Sequence, residues 1–184
     1  MDEASGCSPC GRGSYSTSEN NRECLDCPAG SVCLGRTNSR APASRILNRG
    51  YSCPTGFYCP TASYLESPCP VGTYAKLEGT PDRAQCLKCK VGWYNGREGQ
   101  EGCRKCGPSA YTSADGGATT CQCLGEFRTF IKSTGSCLCR AGYKPKNGAD
   151  PGADAAADCE LLVKETCAVG VEVDIEGNCV ADGA

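Results

Sequence analysis

One phrase recurs along this 184-residue chain and leaves little room for anything but a cross-linked repeat. Cys-Pro-x-Gly-x-Tyr occupies residues 53–58 and again residues 69–74. Cys10, Gly13 and Tyr15 keep its fixed places, as do Cys89, Gly92 and Tyr94. Cys27 and Gly30 carry it with Val32 in the aromatic place, and Cys106 and Tyr111 keep its ends with Ser109 where the glycine belongs. Cys139, Gly142 and Tyr143 shorten it by one residue, and Cys167 and Gly170 give a last copy ending on Glu172. Self-similarity at short period is the mark of stacked supersecondary units, so the repeat is read before any local motif.

Nineteen cysteines make about one residue in ten, the density of a disulfide scaffold built in an oxidising compartment. Leu, Val, Ile and Phe together number only 24, too few for a large globular core. The expected fold is therefore small and disulfide-rich: an elongated tandem array of short β-hairpin loops with little helix. No stretch is long and apolar enough to span a membrane. The first ten residues have neither the basic start nor the apolar run of a signal peptide. Together with the odd cysteine count, this reads as a processed piece of a longer secreted or cell-surface chain, with Cys7 closing a unit begun upstream. None of the seven asparagines starts an Asn-x-Ser/Thr sequon, so N-glycans are not predicted.

The phrase has a physical reading. Proline presets φ for a turn, glycine two places later suits the turn's last position, and the tyrosine leaves on an extended segment. Its ring has a disulfide to cover, the nearest apolar surface in a unit without a core. A polar tip follows, such as residues 95–102, and the next cysteine closes the loop. The expected pairs are Cys10–Cys24, Cys69–Cys86, Cys89–Cys103, Cys106–Cys121 and Cys123–Cys137. Among Cys27, Cys33, Cys53 and Cys59 the pairing is either sequential or crossed, and for Cys139, Cys159, Cys167 and Cys179 the connectivity stays open. Residues 144–158 are of low complexity and read as a flexible loop. The following segment carries the one plausible helical turn, with a strand-like alternation over 169–175.

The run over residues 53–94 resembles the ephrin-receptor-like cysteine-rich repeats, kin to tumour-necrosis-factor-receptor-like and EGF-like modules. Residues 121–143 are similar to the piece that follows such repeats in large surface glycoproteins of algae and other protists, some of which build the ciliary hairs called mastigonemes. The resemblance implies cysteine-rich repeats over 1–27, continuing from upstream. A variant repeat with an arginine-rich loop follows over 28–68, then further repeats over 69–122. An EGF-like segment with the low-complexity loop covers 123–158, and an acidic cysteine-rich end covers 159–184. It implies an extracellular structural part, a spacer and protein–protein assembly module. The second reading is a ligand-binding receptor ectodomain, which would present one exposed apolar or charged patch.

Enzyme chemistry has little to draw on. The chain has no histidine, so no Ser-His or Cys-His nucleophile exists, and cysteines held in disulfides cannot attack. The spacing Cys-x2-Cys-x13-Cys-x2-Cys, at residues 7–27 and 86–106, also suits tetrahedral zinc, but it runs on into further pairs and the cysteine total far exceeds two sites. Asp150, Asp154, Asp158, Asp174 and Glu176 read as solvated carboxylates rather than calcium ligands. No cofactor, metal or catalytic residue is therefore expected.

Charge is the more informative pattern. Residues 1–147 carry 18 basic and 12 acidic side chains, whereas residues 148–184 carry one basic and nine acidic. No acid occurs between Asp26 and Glu66, and Arg36, Arg40, Arg45 and Arg49 crowd one loop there. That loop is the candidate partner contact, for another copy of the chain, a different extracellular scaffold protein or an acidic glycan. Nucleic acid is not expected of a secreted chain without basic–aromatic interleaving, and neither is membrane insertion.

Overall fold

The computed structural model describes residues 8–18, 23–113, 115–146 and 158–161. These residues form eight two-stranded antiparallel hairpins, each made of consecutive strands, in strict chain order. The first joins β1 (Ser14–Tyr15) to β2 (Leu25–Asp26), and the second β3 (Ser31–Cys33) to β4 (Gly50–Ser52). The third pairs β5 (Phe57–Tyr58) with β6 (Ser67–Pro68), and the fourth β7 (Thr73–Tyr74) with β8 (Leu87–Lys88). The fifth is β9 (Trp93–Tyr94) with β10 (Arg104–Lys105), and the sixth β11 (Ala110–Tyr111) with β12 (Gln122–Cys123). Longer strands make the seventh, β13 (Arg128–Ile131) with β14 (Ser136–Cys139), and the eighth, β15 (Tyr143–Pro145) with β16 (Cys159–Leu161).

Eight disulfides staple these hairpins: Cys10–Cys24, Cys27–Cys33, Cys53–Cys59, Cys69–Cys86, Cys89–Cys103, Cys106–Cys121, Cys123–Cys137 and Cys139–Cys159. The second and third repeats thus use sequential pairing, each bridge closing the turn of its own phrase. Cys7, Cys167 and Cys179 lie outside the described residues.

The turn of each phrase differs from the sequence expectation in one respect. The closing hydrogen bond runs from Phe57 N–H to Pro54 O, and likewise from Thr73 to Pro70 and from Trp93 to Lys90. Proline is therefore first and glycine third, not last. Glycine in the third place lets the turn take a positive φ there, and Gly72 adopts +77°. Ser109 stands in the same place without a left-handed backbone, yet the turn still closes, from Ala110 N–H to Gly107 O.

The phrase glycine also builds the joint between hairpins. Its carbonyl accepts from the cysteine that opens the next phrase, as Gly56 O does from Cys69 and Gly72 O from Cys89. Its N–H donates forward to the residue just after the next phrase, from Gly13 to Cys33 O, Gly30 to Cys59 O, Gly56 to Ala75 O and Gly72 to Asn95 O. The opening cysteine's carbonyl in turn accepts from a left-handed residue at the tip of a later hairpin. The donors are Arg36, Ala62, Gly79, Gly99 and Gly117, onto Cys10, Cys27, Cys53, Cys69 and Cys89.

That tip residue reaches one hairpin farther back. A Cβ built on Gly13, Gly30, Gly56 or Gly72 would fall inside 3.0 Å of the carbonyl oxygen of Ala62, Gly79, Gly99 or Gly117 respectively. Each of the first five hairpins is thus gripped by the next, and each of the first four is touched by the next but one. This backbone stack uses little apolar material, which is why so thin a hydrophobic inventory suffices.

Side chains fill what remains. The aromatic place of one phrase packs on the disulfide of the following hairpin: Tyr15 on Cys27–Cys33, Val32 on Cys53–Cys59, Tyr58 on Cys69–Cys86 and Tyr94 on Cys106–Cys121. Tyr74 and Tyr111 join no such cluster, and Tyr111 lies exposed.

The helical turn expected in the segment from residue 159 falls mostly on residues after 161, which lie outside the described residues. Among the described residues the helix is a single 3-10 turn, Arg83–Gln85, capped by the Asp82 side chain on the Ala84 N–H. Cys159–Leu161, where the sequence suggested a helical segment begins, is strand β16. Lys144 and Pro145, at the head of the low-complexity stretch, belong to β15, whereas 147–157 and 169–175 lie outside the described residues. No helix among the described residues is long and apolar enough to cross a membrane.

Candidate interaction surface

The arginine-rich loop spans residues 34–49, between β3 and β4. It is folded rather than slack. Thr37 is buried, donates its hydroxyl to Arg49 O at 2.8 Å and bridges in parallel to Tyr15 of the first hairpin. Asn38 and Asn48 join side chains across the loop at 3.3 Å, and the Ser44 hydroxyl accepts from the N–H groups of Ile46 and Leu47. Pro42 is buried against Gly50. The loop is held at both ends and across its middle by polar contacts.

All four arginines are exposed, but they do different things. Arg36 is left-handed because its N–H serves the stack, in the slot that glycine fills in later hairpins. Arg49 is also left-handed and folds its Nε–H onto Gly35 O at 3.1 Å. Arg40 makes no hydrogen bond or ion pair with the described residues. Arg45 lays its guanidinium 3.7 Å over the Tyr51 ring and approaches the Glu66 carboxylate at 4.0 Å.

Glu66 adds what the sequence does not show. The loop is acid-free in the chain, yet the third hairpin brings Glu66 beneath it, where it accepts the Tyr51 hydroxyl. That hydrogen bond is the leading cause of a lowered Glu66 pKa. Burial, with the same bond to Glu66, pushes Tyr51 up to about 12. Arg45 is therefore half-committed inside the module, and Arg36, Arg40 and Arg49 carry the uncompensated charge.

The most exposed large apolar side chains of the described residues sit between these arginines: Ile46 at 87 % and Leu47 at 77 %. The neighbouring tip of the third hairpin adds exposed Tyr64 and Leu65 beside Glu66. Charge runs singled out the arginines; the apolar pair was equally visible in the string, but nothing in the sequence links Glu66 to a loop some twenty residues earlier. The loop thus orders its backbone and presents two bare aliphatic side chains among cations.

Asp158, one of the acids weighed for calcium, is engaged within the protein. It accepts from Glu126 N–H at 3.0 Å and pairs with Lys146 at 3.5 Å, and its pKa is lowered first by the Glu126 bond. Among the described residues, no group of three or more His, Cys, Asp or Glu is placed to hold a metal ion.

Compared with known families, residues 1–41 match the family described as tyrosine-protein kinase ephrin type A/B receptor-like. The match covers the first hairpin and the start of the arginine loop. No curated protein matches the chain. The family match and the eight disulfides together mark a cysteine-rich repeat of the extracellular type.

Proposed function

We propose that this chain is a structural spacer and assembly module of a large secreted or cell-surface protein, of the kind that builds extracellular fibres such as ciliary hairs. The observation that carries this reading is the stack. Backbone hydrogen bonds fix each hairpin against the next, so the array transmits position along its length without a ligand. The arginine loop is its lateral or end contact. Its occupant is the acidic end of a second copy, residues 148–184, which carries nine acids and one base and also supplies apolar residues such as Leu162, Val163 and Ile175. Such a contact is heterologous and need not close, so it extends rather than dimerises. Exposed pairs contribute about 0–1 kcal/mol each and are screened over about 8 Å at physiological salt, so one copy binds another weakly and assembly needs many copies.

The test replaces Arg36, Arg40, Arg45 and Arg49 by serine in the full chain and follows sedimentation over a concentration and salt series. Weak association that falls with salt and disappears in the variant supports the reading. Association unchanged in extent and salt dependence overturns the loop's role. Self-association that persists while a separate soluble partner is lost favours the receptor-ectodomain reading, which the exposed Ile46 and Leu47 would also serve.

A further inference from the structure

A second cationic feature lies far along the array, where the seventh hairpin meets the fifth. A cavity of about 320 Å³ is lined by Arg97, Arg104 and Lys132, with Gln100 and Ser133 beside them. Arg97 and Arg104 belong to the fifth hairpin, but Lys132 is delivered by the seventh. Tyr94 donates its hydroxyl to Lys132 O at 2.8 Å, which holds that backbone against the fifth hairpin. The lysine side chain then lies over Gly96, where a Cβ would come within 3.6 Å of its Nζ. None of the three cations has an ion-pair partner among the described residues. Glu98, at the same hairpin tip, does not line the cavity.

A second cavity, about 340 Å³, flanks the same hairpin and shares Gly102 with the first. Tyr74, Lys76, Lys90, Trp93 and Glu101 line it, and Lys90 sits 4.8 Å over the Trp93 ring. The one acid there, Glu101, accepts the Thr55 hydroxyl at 3.4 Å. Two ligand-sized hollows thus adjoin along one hairpin, with five cations to one carboxylate.

We propose that these adjoining cavities bind a linear anionic glycan, a sugar chain bearing sulfate or carboxylate groups at intervals. Unpaired cations spread over two hollows suit a ligand whose charge is repeated rather than concentrated. Planar guanidinium groups, the Gln100 amide and the Ser133 hydroxyl give the mixed donors and acceptors that sugar hydroxyls and sulfates need. A disulfide scaffold works outside the reducing cytosol, where sulfated and carboxylated glycans are among the linear polyanions a protein meets. The site is separate from the arginine loop and stands whether or not that loop mediates assembly.

Trp93 is the chain's single tryptophan and reports directly on the second cavity. The full chain is titrated with a heparin hexasaccharide, with a neutral dextran of equal length and with a polyglutamate peptide, following Trp93 fluorescence. The expected result is a saturable, salt-sensitive change with the sulfated sugar and none with dextran. The triple variant R97S/R104S/K132S binds roughly tenfold more weakly, since three partly exposed contacts together amount to about that factor. Lys132→Met keeps the stem over Gly96 and loses only part of the affinity, whereas R36S/R40S/R49S leaves it unchanged. Equal affinity in the triple variant overturns the assignment. So does polyglutamate binding as tightly as the sugar, which would make this a protein-docking surface.

Discussion

The first six hairpins and the last two are joined by different chemistry. From Gly13 to Gly72 the phrase glycines make joints of backbone on backbone: glycine N–H to carbonyl, left-handed tip to cysteine carbonyl, and a glycine face pressed on the tip two hairpins on. At the fifth hairpin this pattern lapses. Gly92 gives its N–H to the Thr112 hydroxyl instead of a main-chain carbonyl, and a Cβ there would meet nothing within 4 Å. The seventh and eighth hairpins keep two backbone bonds, Arg140 to Phe127 O and Cys159 to Glu126 O. Side chains do the rest: Phe127 stacks on Tyr143 at 4.8 Å, and Asp158 holds the Glu126 N–H and Lys146. A joint of peptide groups tolerates almost any surface sequence but demands glycine at fixed places. A joint of side chains frees the backbone and makes the contact dependent on pH and salt.

Gly72 and Gly92 separate these two demands, and the largest effect is expected there. Both have positive φ, +77° and +79°. Alanine at Gly92 meets only the left-handed penalty, about 1 kcal/mol. Alanine at Gly72 meets that penalty and a main-chain oxygen that cannot rotate away, for a total of about 3 kcal/mol. Urea midpoints at matched slopes measure the difference. Equal losses at the two sites would mean that the grip between alternate hairpins is slack and the stack is held by its disulfides alone.

Much of this was legible in the string, and the remainder was hidden for definite reasons. Cysteine density announces a cross-linked scaffold with little aliphatic core, and the repeated phrase makes it an array of stapled loops. The phrase also locates its glycine, though not its place in the turn: first-or-second assignment of proline depends on which carbonyl closes the loop. The partner of that glycine was not readable. The tip slot holds Arg36, Ala62, Gly79, Gly99 and Gly117 in turn, and no pattern matcher groups those residues, since what they share is a backbone conformation. Arg45 over Tyr51 and Glu66 joins two hairpins, and Lys132 over Gly96 joins the seventh to the fifth. Such pairs arise only once the array stacks.

Opposite pH windows distinguish the two regions next. In the stack, Tyr51 has its pKa raised from 10.0 to about 12, so its share of stability is complete below pH 10 and fades as pH rises toward 12. At the last joint, Asp158 has its pKa lowered from 3.8, so its share is complete above that value and fades as pH falls through the lower folded pKa. The stability difference between the wild type and Tyr51→Phe should therefore be flat from pH 4.5, above which Glu66 is ionised, to pH 10 and then shrink, with a second loss in acid as Glu66 is protonated. That between the wild type and Asp158→Asn should shrink only in acid. An Asp158→Asn difference that is flat down to pH 2 would show that the two backbone bonds, not the carboxylate, hold the eighth hairpin.

The smallest effect tests whether the tip slot is a glycine slot in energy as well as in shape. Ala62 sits there at φ +63°, where an L side chain is strained by roughly 1–2 kcal/mol. Its N–H serves Cys27 O and its own carbonyl faces Gly13, so both of its contacts are made by the main chain. Ala62→Gly keeps every one of them and relieves the strain, at an entropic cost of about 0.4–1 kcal/mol in the unfolded chain. A net gain of about 0.5 kcal/mol is expected, seen as a small rise in the urea midpoint without a change in slope. The same substitution at Ala141, second in the Arg140–Tyr143 turn of the last phrase and free of positive φ, should lose stability instead. If Ala62→Gly also loses, the slot is specified by something other than its left-handed backbone, and the equivalence of Ala62 with Gly79, Gly99 and Gly117 fails.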